Sequence, residues 1–151
     1  MQEQRHRYTG IMVGVGTVLA DDPLLTCRKA GCKNPIRIIC DTDLRTPLTA
    51  QVVTTAKQAP TILVTCSVDR EKWTGYEEAG CRILPAERKN GRIDLERLME
   101  RLGQEGIDSI LLEGGGTLNW AALESGIVQK VQAYIAPKLF GGQTAKTPVE
   151  G

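Results

Sequence analysis

Apolar residues fall in short runs along the chain, at residues 10–15, 35–40, 61–65, 81–84, 107–112 and 131–136. Each run is bounded by glycine, proline or polar residues and is rich in Ile, Leu and Val, which predicts buried strands. Helical patterns stand between them. Residues 95–102 place Leu95, Leu98, Met99 and Leu102 on one helical face, behind Asp94, a side chain suited to accept from first-turn amides. Residues 69–79 predict a weaker helix closed by Gly80, and residues 117–123 a helix closed by Gly126. Residues 1–8 read as the end of a helix. Residues 16–23 read as a tight turn, one helical turn and a loop opened by Asp22-Pro23. Residues 44–57 read as a connector, because Pro47 argues against a long helix there.

Strand–helix alternation of this kind argues for an α/β fold with a mostly parallel sheet covered by helices. The strand runs are apolar on both faces, as buried parallel strands are. A chain of 151 residues fits one domain and buries enough surface to need no covalent staples. Composition adds little: the chain is 41% hydrophobic and 25% charged, with net charge +1. No basic block stands out and the few aromatic residues are scattered, so nothing favours a nucleic-acid partner. No apolar run approaches the roughly 20 residues that span a bilayer. The five cysteines, Cys27, Cys32, Cys40, Cys66 and Cys81, are odd in number and show no C-x-x-C spacing. They predict reduced thiols, with Cys40 and Cys66 as small core residues, and no metal site.

The candidate chemistry centres on residues 107–120. A strand leads into Glu113, then Gly114-Gly115-Gly116, then a helix. That geometry aims backbone N–H groups and a helix N-terminus at an anion. A second glycine turn, Gly14-Val15-Gly16, follows the first strand. Neither turn is a Rossmann G-x-G-x-x-G, since Leu19 and Asn119 stand where the third glycine would be, and no P-loop lysine is present. Two such turns favour a phosphate-rich ligand. Asp21-Asp22 reads as a carboxylate pair or as an Asx turn before Pro23. Arg28 reads as a phosphate ligand or a solvated surface arginine. Glu113, at a strand tip, either holds a sugar hydroxyl or caps the turn, and Lys138 faces ligand or solvent. His6 is the only histidine and lies in a polar stretch, so no ordinary general base or activated nucleophile is evident. Hydride transfer, in which the cofactor brings the reactive atom, fits this inventory.

Four strings point further: Gly-Val-Gly-Thr-Val-Leu-Ala-Asp-Asp-Pro-Leu-Leu-Thr-Cys-Arg at 14–28, Pro-Ile-Arg-Ile-Ile-Cys-Asp at 35–41, Leu-Leu-Glu-Gly-Gly-Gly-Thr-Leu at 111–118, and Tyr-Ile-Ala-Pro-Lys-Leu-Phe-Gly-Gly at 134–142. In this order they resemble the reductase domain of the bacterial bifunctional riboflavin-biosynthesis deaminase/reductase. The resemblance implies a dihydrofolate-reductase-like, three-layer α/β/α fold, a cytoplasmic homodimer, and no membrane or nucleic-acid partner. It implies NADPH-dependent reduction of the ribosyl group of 5-amino-6-(5-phosphoribosylamino)uracil to a ribityl chain. Carried over by motif position, Thr17, Asp21 and Thr42 look like cofactor contacts. Gly115, Gly116, Thr117, Leu118, Asn119, Trp120 and Ala121 look like the turn and helix start that hold the dinucleotide phosphates. Arg5, Leu25, Arg28 and Glu113 look like substrate contacts, with Asp21 and Glu113 as the catalytic carboxylates. Arg45 and Arg70 are both candidates for the 2′-phosphate.

The family's reductase domain begins with a strand of Lys-x-Ala-x-Ser-x-Asp-Gly type and ends with further strands, and a zinc deaminase domain precedes it. None of these is in the chain, which therefore reads as a single reductase-type domain over 1–151 cut from a longer protein. Two alternatives stand beside this reading: a same-fold reductase of another substrate such as a pterin, and a non-catalytic nucleotide-binding module.

Overall fold

The structure is a computed structural model; it describes residues 2–135, 137, 138, 144, 145 and 147–151, with side chains from Gln4 onward. The chain runs α1 (Gln2–Arg7), β1 (Gly10–Gly14), α2 (Val15–Asp21), β2 (Ile36–Cys40), α3 (Gln51–Thr54), β3 (Thr61–Thr65), α4 (Arg70–Glu78) and β4 (Arg82–Pro85). A short pair follows, β5 (Arg88–Lys89) and β6 (Arg92–Ile93), then α5 (Leu95–Gln104), β7 (Ile110–Leu112) and α6 (Gly116–Glu124).

Five strands form one sheet in the order β4-β3-β2-β1-β7, and every pairing in it is parallel. The expected mostly parallel α/β architecture is therefore present. In-register residues point to the same face. Ile11, Ile39, Leu63 and Ile83 pack with Val18 of α2, Val52 of α3 and Trp73 of α4 on one side. Met12, Ile38, Val64 and Leu84 pack with Leu95, Leu98 and Leu102 of α5 and Ala122 of α6 on the other. Two separate cores on the two faces make three layers, which is why the strand runs carry no polar alternation.

Local chemistry sets the helix ends. Asp69 accepts from the amides of Glu71 and Lys72 at the start of α4, and Asp94 accepts from Arg97 N at the start of α5. Cross-strand contacts pin β7: Thr9 N donates to Ser109 Oγ at 3.0 Å and Thr9 Oγ1 to Asp108 Oδ1 at 2.8 Å.

Four expectations change. Residues 44–57 contain a short helix, α3, which begins after Pro47 rather than through it. The β5–β6 hairpin is absent from the periodicity because its strands are two residues long. Its Asn90-Gly91 turn, with φ of 50° and 78°, is nevertheless the sequence signal of a type I′ hairpin. The strand expected at 131–136 does not form over residues 131–135. These carry no strand pairing, and Val131 and Ile135 are 72% and 93% exposed, so β-propensity without a paired neighbour is not enough. Residue 136, and residues 139–142 of the 134–142 string, lie outside the described residues. Finally, Cys27 and Cys32 are joined in a disulfide, whereas Cys40, Cys66 and Cys81 are free. The turn at Gly31, with φ of 74° and Cys32 N donating to Lys29 O, brings the pair together, a three-dimensional closure that spacing alone does not encode.

Candidate active site

Because β1, β2, β3 and β7 run parallel, the residues that follow them share one edge of the sheet. From β1 the chain builds β2, β3 and β4 to one side and returns to lay β7 on the other. The order thus reverses between β1 and β7, the place where open α/β sheets form a ligand crevice at the carboxyl ends of their strands.

The expected glycine turn at residues 14–16 is not a turn, because β1 ends at Gly14 and α2 begins at Val15 with Gly16 inside it; the start of α2 meets the second glycine turn there. Glu113 N donates to Met12 O at 3.0 Å, which lays the start of the second turn against the end of β1. A Cβ on Gly114 would lie 2.8 Å from Thr17 Oγ1, so glycine lets α2 and the turn approach this closely. Gly115 holds φ at 75° and is the N-cap of α6, with no side-chain hydrogen bond capping the helix. Leu118 and Ala121 pack against the core that α5 and α6 cover. Residues 115–121 thus present backbone amides and the side chains of Thr117, Asn119 and Trp120, while Leu118 and Ala121 are half-buried.

Residues 147–151 cross this first helical turn. Glu150 N donates to Gly116 O at 3.0 Å, and Asn119 Nδ2 donates to Pro148 O at 2.7 Å. The carboxyl carbon of Glu150 lies 2.8 Å from where a Gly116 Cβ would be. A carboxylate group thus rests at the uncapped N-terminus of α6, a position that favours negative charge.

Beside the turn, Arg5 from α1 and Glu113 form a two-point fork. Arg5 Nε donates to Glu113 Oε1 at 3.1 Å and Nη2 to Oε2 at 2.7 Å. The side chains are only 11% and 6% exposed. Arg5 Nη1 also donates to Thr26 O at 3.0 Å, tying the fork to the loop that carries Leu25 and Arg28. Among the expected substrate contacts, the structure thus brings Arg5 and Glu113 into direct contact, although they stand 108 positions apart in the chain.

Other expected residues fall differently. Leu25 is buried at φ 54° in the core that α2, α3 and α4 cover, so its side chain is part of the packing. Asp22 is not the second member of a carboxylate pair: its Oδ1 accepts from Gln51 N at 2.8 Å and its carbonyl from Gln51 Nε2 at 2.7 Å. Asp21 and Arg28 are exposed. Arg70 lies over the Trp73 ring, 4.0 Å from its centroid, which engages it on α4. Lys138 and Arg45 are exposed.

Thr42 sits beyond β2 at the same edge, and its carbonyl accepts from Cys66 N at 2.9 Å. Neighbouring Asp41 is buried. Its Oδ2 accepts from both Thr46 N and Thr46 Oγ1 at 2.7 Å, while Oδ1 has no partner among the described residues. Arg88 on β5 reaches Asp43 at 2.6 Å, beside Thr42. Nothing local in the sequence marks Arg88 except the Asn90-Gly91 turn of its hairpin.

These features define a three-layer α/β domain in which a glycine turn and a nearly sealed arginine–glutamate fork meet at the carboxyl edge of a parallel sheet, where the strand order reverses. The chain belongs to the RibD C-terminal domain family, whose model matches residues 1–151. It is 52% identical to the riboflavin biosynthesis protein RibD of Actinobacillus pleuropneumoniae across its whole length, spanning 40% of that protein. It is 38% identical to the 2,5-diamino-6-ribosylamino-4(3H)-pyrimidinone 5′-phosphate reductase of Methanothermobacter thermautotrophicus, all of the chain against 69% of that relative. The solved structure of Acinetobacter baumannii RibD superposes with a TM-score of 0.82 at 27% identity, covering 99% of the chain and 40% of that protein. The dihydrofolate-reductase-like fold expected from the sequence is the fold of these neighbours.

Proposed function

We propose that this domain reduces the ribosyl group of 5-amino-6-(5-phosphoribosylamino)uracil, or of its 2,5-diamino pyrimidinone counterpart, to the ribityl chain, with NADPH as the hydride source. The observation that carries the reading is the buried Arg5–Glu113 fork set against the Gly114–Gly116 turn. A nearly sealed carboxylate with acceptor capacity to spare, beside an uncapped helix N-terminus, suits a hydroxylated, phosphorylated ligand rather than an apolar one.

The residues fit a dinucleotide. Gly114 admits close approach, Gly115 turns the backbone, and the amides at the start of α6 receive phosphate oxygens in place of the Glu150 carboxylate. Thr17 on α2 and Thr42, just past β2, flank that path. NADPH, when bound, supplies the hydride. Glu113 retains acceptor capacity beyond its two bonds to Arg5 and orients ribose hydroxyls. Arg28 attracts the 5′-phosphate, and Asp21, at the end of α2, handles the proton gained at the ribose oxygen. Positioning is the main catalytic contribution of such a site. The chain spans 40% of the Actinobacillus pleuropneumoniae RibD, and the proposal includes a deaminase domain in the parent protein. A homodimer and a cytoplasmic location complete the proposal.

The test is loss of NADPH near-ultraviolet absorbance with the ribosylaminopyrimidine phosphate, together with direct NADPH binding by calorimetry. Turnover abolished in Glu113→Ala and Arg28→Ala, with NADPH binding retained, is the expected result. NADPH binding by a parent-length protein that leaves this substrate untouched and reduces a pterin would replace the substrate assignment.

A further inference from the structure

The loop between α2 and β2 carries two non-glycine residues in the left-handed region, Asp22 at φ 39° and Leu25 at φ 54°. Such conformations persist only where the surroundings over-determine them, and they cluster at binding sites. The surroundings here centre on Arg37 of β2, which has no exposed surface. Its five N–H groups meet five acceptors: Nε donates to Thr61 Oγ1 at 3.0 Å, Nη1 to Leu24 O at 2.9 Å and Thr55 Oγ1 at 2.8 Å, and Nη2 to Val52 O at 3.2 Å and Ala59 O at 2.8 Å. None of these partners is a carboxylate. A cation sealed in the core without a counter-charge is costly unless every donor is used, and here every donor is used.

We propose that Arg37 is the positioning residue of the ligand loop: its bond to Leu24 O holds residues 22–26 in their strained path, so that Thr26 O meets Arg5 and Arg28 is presented to the crevice. The register supports this. Arg37 lies level with Ile11 and Thr61, on the face where Leu25 packs, and not in the crevice itself. Arg37 therefore touches no ligand and acts through the loop. What the loop binds rests on the function proposed above; that Arg37 sets its conformation does not.

The experiment is hydrogen exchange on the full chain, with calorimetric binding of NADPH and of the ribosylaminopyrimidine phosphate. The variants are Arg37→Lys, which keeps the charge but has fewer donors, and Thr55→Val, which removes one Nη1 acceptor without removing the cation. The expected result is exchange faster by about tenfold in residues 22–27 of Arg37→Lys, against little change in β1 and β3, since local opening is governed by local contacts. Pyrimidine affinity falls in parallel while NADPH affinity holds, and Thr55→Val shows the same pattern more weakly. Exchange that rises equally in loop and strands, or a loop unchanged in both variants, overturns the proposal and makes Arg37 a purely structural residue. Faster loop exchange in a protein whose wild type binds no pyrimidine phosphate supports the role of Arg37 and overturns the substrate assignment instead.

Discussion

Glu113→Gln separates a buried ion pair from a decorative one. The fork closes at 2.7 and 3.1 Å with both side chains nearly sealed, so solvent screens it little. At an effective dielectric constant near 20, two charges at this separation attract by roughly 5–6 kcal/mol before desolvation is subtracted. Removing one partner strands the other, at a cost of about 3–5 kcal/mol. Arg5 keeps Thr26 O and one neutral acceptor on the glutamine, so the lower end, about 3 kcal/mol, is expected. In a domain of this size that lowers the melting temperature by roughly 6–12 °C at about 2–4 °C per kcal/mol. The comparison pair is Arg82–Glu105, as well formed at 2.6 Å but 52% and 22% exposed, where Arg82→Ala should cost less than about 1 kcal/mol. Urea unfolding followed by circular dichroism measures both. Arg5→Met with Glu113→Leu should recover most of the loss, since replacing both ions by apolar groups is often neutral. If Glu113→Gln costs no more than Arg82→Ala, the fork is solvated in solution and the reasoning fails.

Three further outcomes follow from the same geometry. Burial pushes the Cys40 thiol up to about 12 and the Cys81 thiol up to about 11, so above pH 9 the unfolded chain releases protons that the folded chain keeps. Stability measured by urea unfolding should therefore fall between pH 9 and 10.5, by up to about 1.4 kcal/mol per pH unit per thiol, and a flat profile would refute the burial of these groups. Thiol counting in denaturant without reductant should return Cys40, Cys66 and Cys81 only; a count of all five would refute the Cys27–Cys32 bond. Gly114→Ala forces a methyl to 2.8 Å from Thr17 Oγ1 and should weaken NADPH binding, whereas Gly103→Ala, with open space and a helical backbone, should stabilise α5 by about 0.5–1 kcal/mol in thermal melts.

Much of the fold is written in short-range pattern. Predominantly apolar runs at 36–40 and 61–65 announce strands covered on both faces, and Asp69 and Asp94 announce helix starts, because amphipathic burial and capping depend on residues a few positions apart. The Gly114–Gly116 turn was legible for the same reason: a strand, three glycines and a helix are local. The run at 131–135 had the same local look and formed no strand among the described residues, because a strand also needs a partner edge. What the sequence could not decide is which distant residues meet. Arg5 and Glu113 read as two separate substrate contacts, and that they pair with each other emerges only when β1 and β7 lie side by side. Leu25 reads as a substrate contact until the core closes over its side chain, and Asp22 as half of a carboxylate pair or an Asx turn until Gln51 at the start of α3 engages it. Arg37 reads as one polar interruption in an apolar strand, and its five acceptors come from four segments that only tertiary packing assembles. Local propensity depends on neighbours in sequence, while ion-pair partners, burial and backbone strain depend on neighbours in space, and the site is made almost wholly of the second kind.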